Sequence, residues 1–507
     1  MPLATIGYEF LRQSLNLTAF APRCVAKVGS SVTRVTRLSN ELLIPRAVAP
    51  NSNDPLAHLL FALKHEGTDL ALLAQIVPRI DANHLVPELQ RSPNSTYLRL
   101  VALLWEQWTG KPLEAVPEPG GAYVNMFDSE RYVTAPSTRF PRWRVNWNGL
   151  GTVNYCATVE RSSAVIAGLQ SDILARVRDF SEGLADGLLQ RTQEWAYLHE
   201  TQSSFAIERE VPNASKARTF MRLLERAHDR TALSEDYLAE LQSATVRNPL
   251  DQAVAFRSEQ NWLRGPGRGA MGVTYVPPPP VLARSLMAEL MAFANGSAQT
   301  LPPLVSASVI SFGFVFLHPF MDGNGRLSRF LFHHALCQSG QLSAGNLLPV
   351  SVAMQQNEAE YLRVLRAYSA EARERWEVLW IDDDRFDFQF GATDDIYRFW
   401  DATACVEFGF QMAELALEDG LKREAKFLAC FDEIRRRIEA EFDVRSADLS
   451  PLIVMCLDNA GIVSKHRRKQ YVGRLPDALF DSLEKIAADV LAHSSTHVAL
   501  SMSKSTN

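Results

Sequence analysis

Residues 318–329 read HPFMDGNGRLSR, and residues 306–317 in front of them read SASVISFGFVFL, almost wholly apolar. The apolar run from Leu304 to Leu317 is about 14 residues long, where a bilayer span needs roughly 20, and it carries Ser306, Ser308 and Ser311. It is therefore expected as a buried core helix. Behind it, RLSRFLFHHALCQ reads as a second helix that stops at Ser339-Gly340. Gly323-Asn324-Gly325 interrupts the two. A glycine-rich turn feeding a helix N-terminus leaves main-chain N–H groups unpaired and pointing one way, which makes an anion cradle suited to phosphate. Arg326 and Arg329 stand at i, i+3 in the first turn of that helix and project to the same side. Two cations there oppose the helix dipole, and a fold rarely tolerates them without an anion to hold. Asp322 adds a hard carboxylate, as a magnesium ion shared with a nucleotide requires. His318, at the end of the apolar helix, is the nearby group able to take a proton near neutral pH. Together these residues predict phosphoryl-transfer chemistry on a loop anchored in the core.

The rest of the chain sets the frame. At 507 residues it is too long for one ordinary core, so two or three domains are expected. With 47% hydrophobic and 22% charged residues it reads as a globular protein rather than a disordered one. A net charge of −6 gives no overall pull toward nucleic acid or an anionic membrane. The first residues lack a basic segment followed by a continuous apolar run, so no secretory leader is expected, and the assignment is cytoplasmic without a membrane span. Six scattered cysteines with no C-x-x-C pair fit reduced thiols.

Three zones follow. Residues 1–160 form a mixed N-terminal domain, with helical spacing over Leu56–Leu63 and again at Leu70–Leu73 beyond a break at Gly67. Residues 161–375 are mainly helical. Ile166, Leu169, Ile173, Leu174 and Val177 make one stripe, and a segment ending at Asn295-Gly296 makes another. Between these stripes, residues 262–280 combine glycines, a β-prone VTYV and four prolines, and read as an exposed hairpin or flap. Residues 376–507 are helical again, clearest over residues 422–442, with a winged-helix-like part from about residue 445.

The loop resembles the signature of Fic-domain proteins, H-x-F-x-[D/E]-G-N-G-R-x-x-R, and matches at His318, Phe320, Asp322, Gly323, Asn324, Gly325, Arg326 and Arg329. The resemblance covers roughly residues 160–375. It implies a mainly α Fic-type helical bundle with a small β-hairpin flap, and a protein adenylyltransferase that passes AMP from ATP to a protein hydroxyl. By the same resemblance His318 is the general base and Asp322 the Mg2+ ligand. Asn324 and the amides of Gly323 and Gly325 hold the α-phosphate side, Arg326 and Arg329 the β- and γ-phosphates. Phe320 seats the loop, and the flap adds a target segment as a strand. Asp322 and Gly323 fit an adenylyl donor better than the kinase-like Doc branch. Residues 199–210, HETQSSFAIERE, resemble the family's inhibitory helix, expected over about 191–210, with Ser204 and Glu208 matching and Glu208 pairing with Arg329. Arg209 stands where Gly or Asn is usual, and because Arg ends a helix in a left-handed turn at greater cost, either the helix runs on or Glu208 sits at a slightly different angle to Arg329.

Other readings stand beside this one: transfer of another nucleotide, removal of AMP with Glu208 positioning water, or a regulator whose basic Lys465, Arg467, Arg468 and Lys469 touch nucleic acid. Partners on the main reading are a target protein, the chain itself as a substrate, and a second copy of it. His333-His334 point to different helix faces and are not expected to chelate one ion.

Overall fold

The computed structural model describes residues 4–29, 32–50, 53–246, 252–382, 385–472 and 474–502. It is mainly α, with small two- and three-stranded sheets. The chain divides into two compact units, one of Met1–Asp172, Ser204–Gly340 and Asn357–Gln411, the other of Ile173–Ser203, Gln341–Gln356 and Met412–Asn507.

In the first unit, helices Pro55–His65, Leu70–Ile76 and Thr96–Thr109 bury Leu59, Leu73, Val101 and Leu104 in a core shared with Trp147 and Phe399. Strand Phe399–Asp401 pairs in parallel with Cys156–Thr158, so a late segment is stitched to an early one. The apolar run folds as the helix Pro303–Leu317, started by a proline in its first turn and buried at thirteen positions. Two of its three serines bond inside the core: Ser306 Oγ donates to the Ala298 carbonyl at 2.6 Å and Ser308 Oγ to that of Leu304 at 2.8 Å. Phe312 meets Tyr361 and Phe408, and Phe316 meets Tyr368 and Trp400, which wedges this helix among later elements. The next helix, Asn324–Gln338, starts at the glycine loop.

The flap is a short antiparallel pair, Leu263–Arg264 with Val273–Tyr275, and its prolines lead into the helix Pro280–Asn295. A second hairpin, Trp376–Asp382 with Arg385–Phe390, stands beside it, with Trp262 edge-on to Phe386 at 4.8 Å. The expected stripe over residues 166–177 is cut into two helices, Ser163–Gln170 and Ile173–Glu182, because Asp172 turns left-handed at φ +41°. The long helix Asp186–Ile207 begins a turn and a half ahead of its expected start.

In the second unit, Arg176 pairs with Glu414 at 2.7 Å and Glu418 at 2.5 Å, and Arg191 with Asp432 at 2.6 Å. Helices Arg423–Glu441, Ser446–Asp458 and Asp477–Met502 close over Ile434, Ile438, Leu452 and Leu483. Among the described residues no strand follows Asp401, so the winged-helix-like expectation has no wing to support it. Arg468 of the basic cluster is spent on Asp481 at 2.9 Å and Glu484 at 2.7 Å. All six cysteines are free, and no helix among the described residues is long and apolar enough to cross a membrane.

Candidate functional site

The loop between the two central helices is held from several sides. His318 caps the apolar helix in a left-handed conformation at φ +49°, which costs a non-glycine residue roughly 1 kcal/mol and persists only where the surroundings fix it. Arg257 does the fixing: its Nε donates to the His318 carbonyl at 2.8 Å, its Nη2 to that of Pro278 at 2.5 Å, and its main-chain N–H to that of Pro319 at 2.8 Å. Burial pulls its guanidinium down to about 10, still well within the charged range at neutral pH. Asn261 Nδ2 bridges the carbonyls of Phe320 and Met321, both at 3.1 Å. Asn324 folds back on Phe320, accepting from its N–H at 3.0 Å and donating to its carbonyl at 2.8 Å. Phe320 itself is fully buried between Phe256 and Phe314. Gly323 has φ +85°, and a Cβ there would come within 3.0 Å of Thr245 Oγ1.

His318 is buried, and that burial pushes its imidazole down to about 4. Its Nδ1 lies 3.1 Å from the Val315 carbonyl. A carbonyl only accepts, so Nδ1 carries the proton and Nε2 keeps its lone pair. The ring is thus neutral at physiological pH and equipped to take a proton at Nε2.

Arg326 and Arg329 start the second helix and are 2% and 1% exposed. Hydrogen bonding within this helix begins from Leu327 N–H to the Gly323 carbonyl at 3.0 Å, so the N–H groups of Asn324, Gly325 and Arg326 lie ahead of it. Asn324 therefore offers its main chain here, since its side chain is committed within the loop. The anions facing this cationic end come from the protein. Arg329 Nη2 meets Glu208 Oε1 at 2.8 Å, while Ser204 accepts from Nε at 2.9 Å and, through its carbonyl, from Nη2 at 2.7 Å. Arg326 Nη1 meets Glu210 at 2.9 Å and the Thr245 carbonyl at 3.1 Å, and its Nη2 reaches Asp322 at 3.3 Å. Phe205 lies under the same guanidinium at 5.2 Å. Gly325 leaves room for this contact, because a Cβ there would sit 2.0 Å from Glu208 Oε1.

The helix does not run on past Arg209: the chain turns left-handed there, and Glu208 still meets Arg329. Arg209 has φ +58°, the helix ends at Ile207, and Glu210 N–H closes back on the Phe205 carbonyl at 3.0 Å. This turn is what sends Glu208 to one arginine and Glu210 to the other.

The structure thus brings His318, Asp322, Gly323, Asn324, Gly325, Arg326 and Arg329 together, with Ser204 and Glu208 against them. Sequence reasoning missed Glu210, whose signal was the E-R-E spacing at 208–210. It also missed Arg257 and Asn261, which lie in polar stretches with no helical or strand period to single them out.

Donor chemistry is consistent with an anionic ligand: Arg326 Nε and Arg329 Nη1 are buried without a hydrogen-bond partner among the described residues. Asp322 keeps its side chain 46% exposed beside them. Among the described residues no three His, Cys, Asp or Glu side chains converge on one point, as a dedicated protein metal site would require. Magnesium suits such a setting, since it is commonly held by one or two carboxylates and by substrate phosphates.

A solved Fic family protein from Desulfovibrio desulfuricans G20 is 22% identical, with 62% of this chain and 94% of that one covered and a TM-score of 0.39. A Fic domain containing signaling protein from Bacteroides thetaiotaomicron is 18% identical, covering 51% and 94%, with a TM-score of 0.36. Fic-1 from C. elegans is 17% identical, covering 50% and 74%, with a TM-score of 0.31. The model of the Fic/DOC family matches residues 232–336, the stretch that holds the whole loop and both arginines. Enzymes of that family generally transfer nucleotide-derived groups to proteins. This chain carries a Fic/DOC-family domain.

Proposed function

We propose that the chain is a protein adenylyltransferase, moving AMP from ATP to a serine, threonine or tyrosine hydroxyl of a target protein, and that Glu208 holds it in check. The observation that carries this reading is the pairing of Glu208 with Arg329 at 2.8 Å over the glycine loop, beside a neutral His318. His318 Nε2 takes the hydroxyl proton as the oxygen forms a bond to the α-phosphorus. The bridging bond between the α- and β-phosphates breaks, and pyrophosphate leaves with the electron pair. Arg326 and Arg329 bind its phosphates as charge builds on them, and the N–H groups of Asn324, Gly325 and Arg326 face the α-phosphate. Asp322 would hold Mg2+, which supplies further charge stabilisation on the phosphates. The flap takes the target segment by strand addition.

In this reading Glu208 and the γ-phosphate compete for Arg329. Ser204 keeps the guanidinium turned toward the acid, and Glu210 covers Arg326 in the same way. Identical reactions with ATP labelled at the α- or the γ-phosphate, run with the Glu208→Gly protein, Mg2+ and a cell lysate, test the reaction type. Label on protein from the α-position alone supports adenylylation. Label from the γ-position above that seen in lysate without the added protein would make the chain a phosphoryl transferase and overturn the assignment.

A further inference from the structure

A cavity of about 630 Å3 lies within the unit that holds the Fic loop, yet none of His318, Asp322, Arg326 and Arg329 lines it. Its size is that of a small-molecule site. Aromatic walls come from Tyr8, Tyr132, Tyr368 and Trp400. The turn between helices Pro55–His65 and Leu70–Ile76 contributes Glu66 and Asp69, and Glu160 and Asp401 also line the cavity.

Acidic side chains outnumber basic ones in this cavity. Its lining holds five acids, with Glu371, against three cations, Arg23, Arg37 and Arg131. Arg131 is paired with Glu160 at 3.1 Å, and Arg23 with Asp401 at 2.5 Å. Among the described residues neither Glu66 nor Asp69 has a lysine or arginine within ion-pair distance. Glu66 is 6% exposed; its Oε1 accepts from Tyr8 N–H at 3.1 Å, and its Oε2 has no partner among the described residues. Leaving a buried oxygen unpaired is unfavourable, and this one is closed off from the cavity, so a ligand donor reaches it once the Glu66 carboxyl turns toward the cavity.

Geometry selects the ligand class. With no convergence of three metal-ligating side chains among the described residues, and with aromatic faces on several sides, an organic cation fits better than a metal ion. We propose that this cavity binds a small organic cation, a primary ammonium on a compact apolar body, with the charged end seated at Glu66 and Asp69. Burial pushes Glu66 up to about 8, with Tyr8 N–H and Arg131 pulling against it and Asp69 and Glu9 adding to it. Asp69 is likewise pushed up to about 6 by burial, with Asp401 adding and Arg23 opposing. At neutral pH Glu66 therefore holds a proton, and an arriving ammonium displaces it.

Calorimetric titration of the full-length protein with tyramine and putrescine, with 4-ethylphenol as the neutral counterpart of tyramine, tests this. One amine or both should bind at one site per chain, with proton release at pH 7 seen across buffers of different ionisation heat. 4-Ethylphenol should bind at least roughly ten-fold more weakly than tyramine, a difference of ~1.4 kcal/mol. Glu66→Gln keeps the acceptor for Tyr8 and Asp69→Asn keeps the helix cap, so both variants should fold while losing roughly ten-fold in amine affinity. No amine binding up to the millimolar range, equal binding of 4-ethylphenol, or wild-type affinity in both folded variants would overturn the proposal. The comparison of amine with phenol uses the wild-type protein and stands even if a variant misfolds.

Discussion

Two acids separated by one residue divide the work at the cationic end of the central helix. Glu208 engages Arg329 and Glu210 engages Arg326, each guanidinium being almost wholly buried. Relief of Arg329 should therefore matter most, and Glu210→Gln alone should raise label transfer from ATP by roughly three-fold, with the Glu208→Gly, Glu210→Gln pair exceeding either single change. Equal rates for the double and the Glu208→Gly proteins would show that Glu210 does not guard the site. His318 supplies a pH signature. Because burial lowers its pKa from 6.5 to about 4, the acid limb of kcat/KM for the Glu208→Gly enzyme should fall near pH 4 rather than 6.5, as far as the fold survives. The same shift acts on stability. Between pH 6.5 and 4 the unfolded chain binds a proton that folded His318 refuses, so stability is present above 6.5 and lost as pH falls through that window. His318→Gln should flatten that slope in urea titrations. The loop motif was legible because its chemistry is concentrated in twelve consecutive residues; Arg257, which fixes the His318 carbonyl, was not, because its role arises from a contact |i−j| = 61 apart.

The end of the helix Asp186–Ile207 is the element on which the proposed restraint rests. Its last turn presents Ser204, and the left-handed Arg209 immediately after it aims Glu208 and Glu210 in different directions. A non-glycine residue at φ +58° costs roughly 1 kcal/mol, part of which glycine would return after its own entropy cost. Arg209→Gly should thus stabilise the protein by ~0.5 kcal/mol, seen as a midpoint rise of about 1–2 °C, with basal label transfer unchanged or lower. A large gain in activity would mean that Arg209 itself restrains the site. The apolar helix was legible from its unbroken apolar run, the flap from its glycines, VTYV and prolines, and this helix from the likeness of residues 199–210 to a family element; sequence periodicity served elsewhere. It ran one helix across residues 166–177, where Asp172 breaks the path at φ +41°, because an apolar stripe carries no sign of a single left-handed residue inside it. The hairpin Trp376–Asp382 with Arg385–Phe390 also went unread. The second strand alternates between exposed and partly buried side chains, but the first exposes Leu379, Trp380 and Ile381 in a row, and Asp382 and Arg385 at its turn resemble an ordinary charged surface.

Within the first unit, the apolar helix of the Fic-type core and its neighbours share one interior. Gly313 of the apolar helix approaches Tyr155 so closely that a Cβ there would lie 2.9 Å from the phenolic oxygen, and Phe312 and Phe316 meet Phe408 and Trp400. A fragment of residues 161–375 would expose these faces and lose the strand pair Cys156–Thr158 with Phe399–Asp401. It should show no cooperative unfolding transition, whereas the full chain should; a sharp transition in the fragment would show that residues outside it are dispensable for the core. Such long-range joins, |i−j| near 243 at Glu160 and Thr403, leave no trace in composition or local period. The claim on which the rest depends is that Glu208 restrains AMP transfer carried out by His318. Purified wild-type, Glu208→Gly, His318→Ala and doubly substituted proteins, incubated with ATP labelled at the α-phosphate, Mg2+ and a cell lysate, test it most directly. Glu208→Gly should raise label on protein by at least roughly ten-fold, the effect of ~1.4 kcal/mol of competition at Arg329, and the double variant with His318→Ala should carry none. Equal label in wild type and Glu208→Gly, or label that survives His318→Ala, would contradict it.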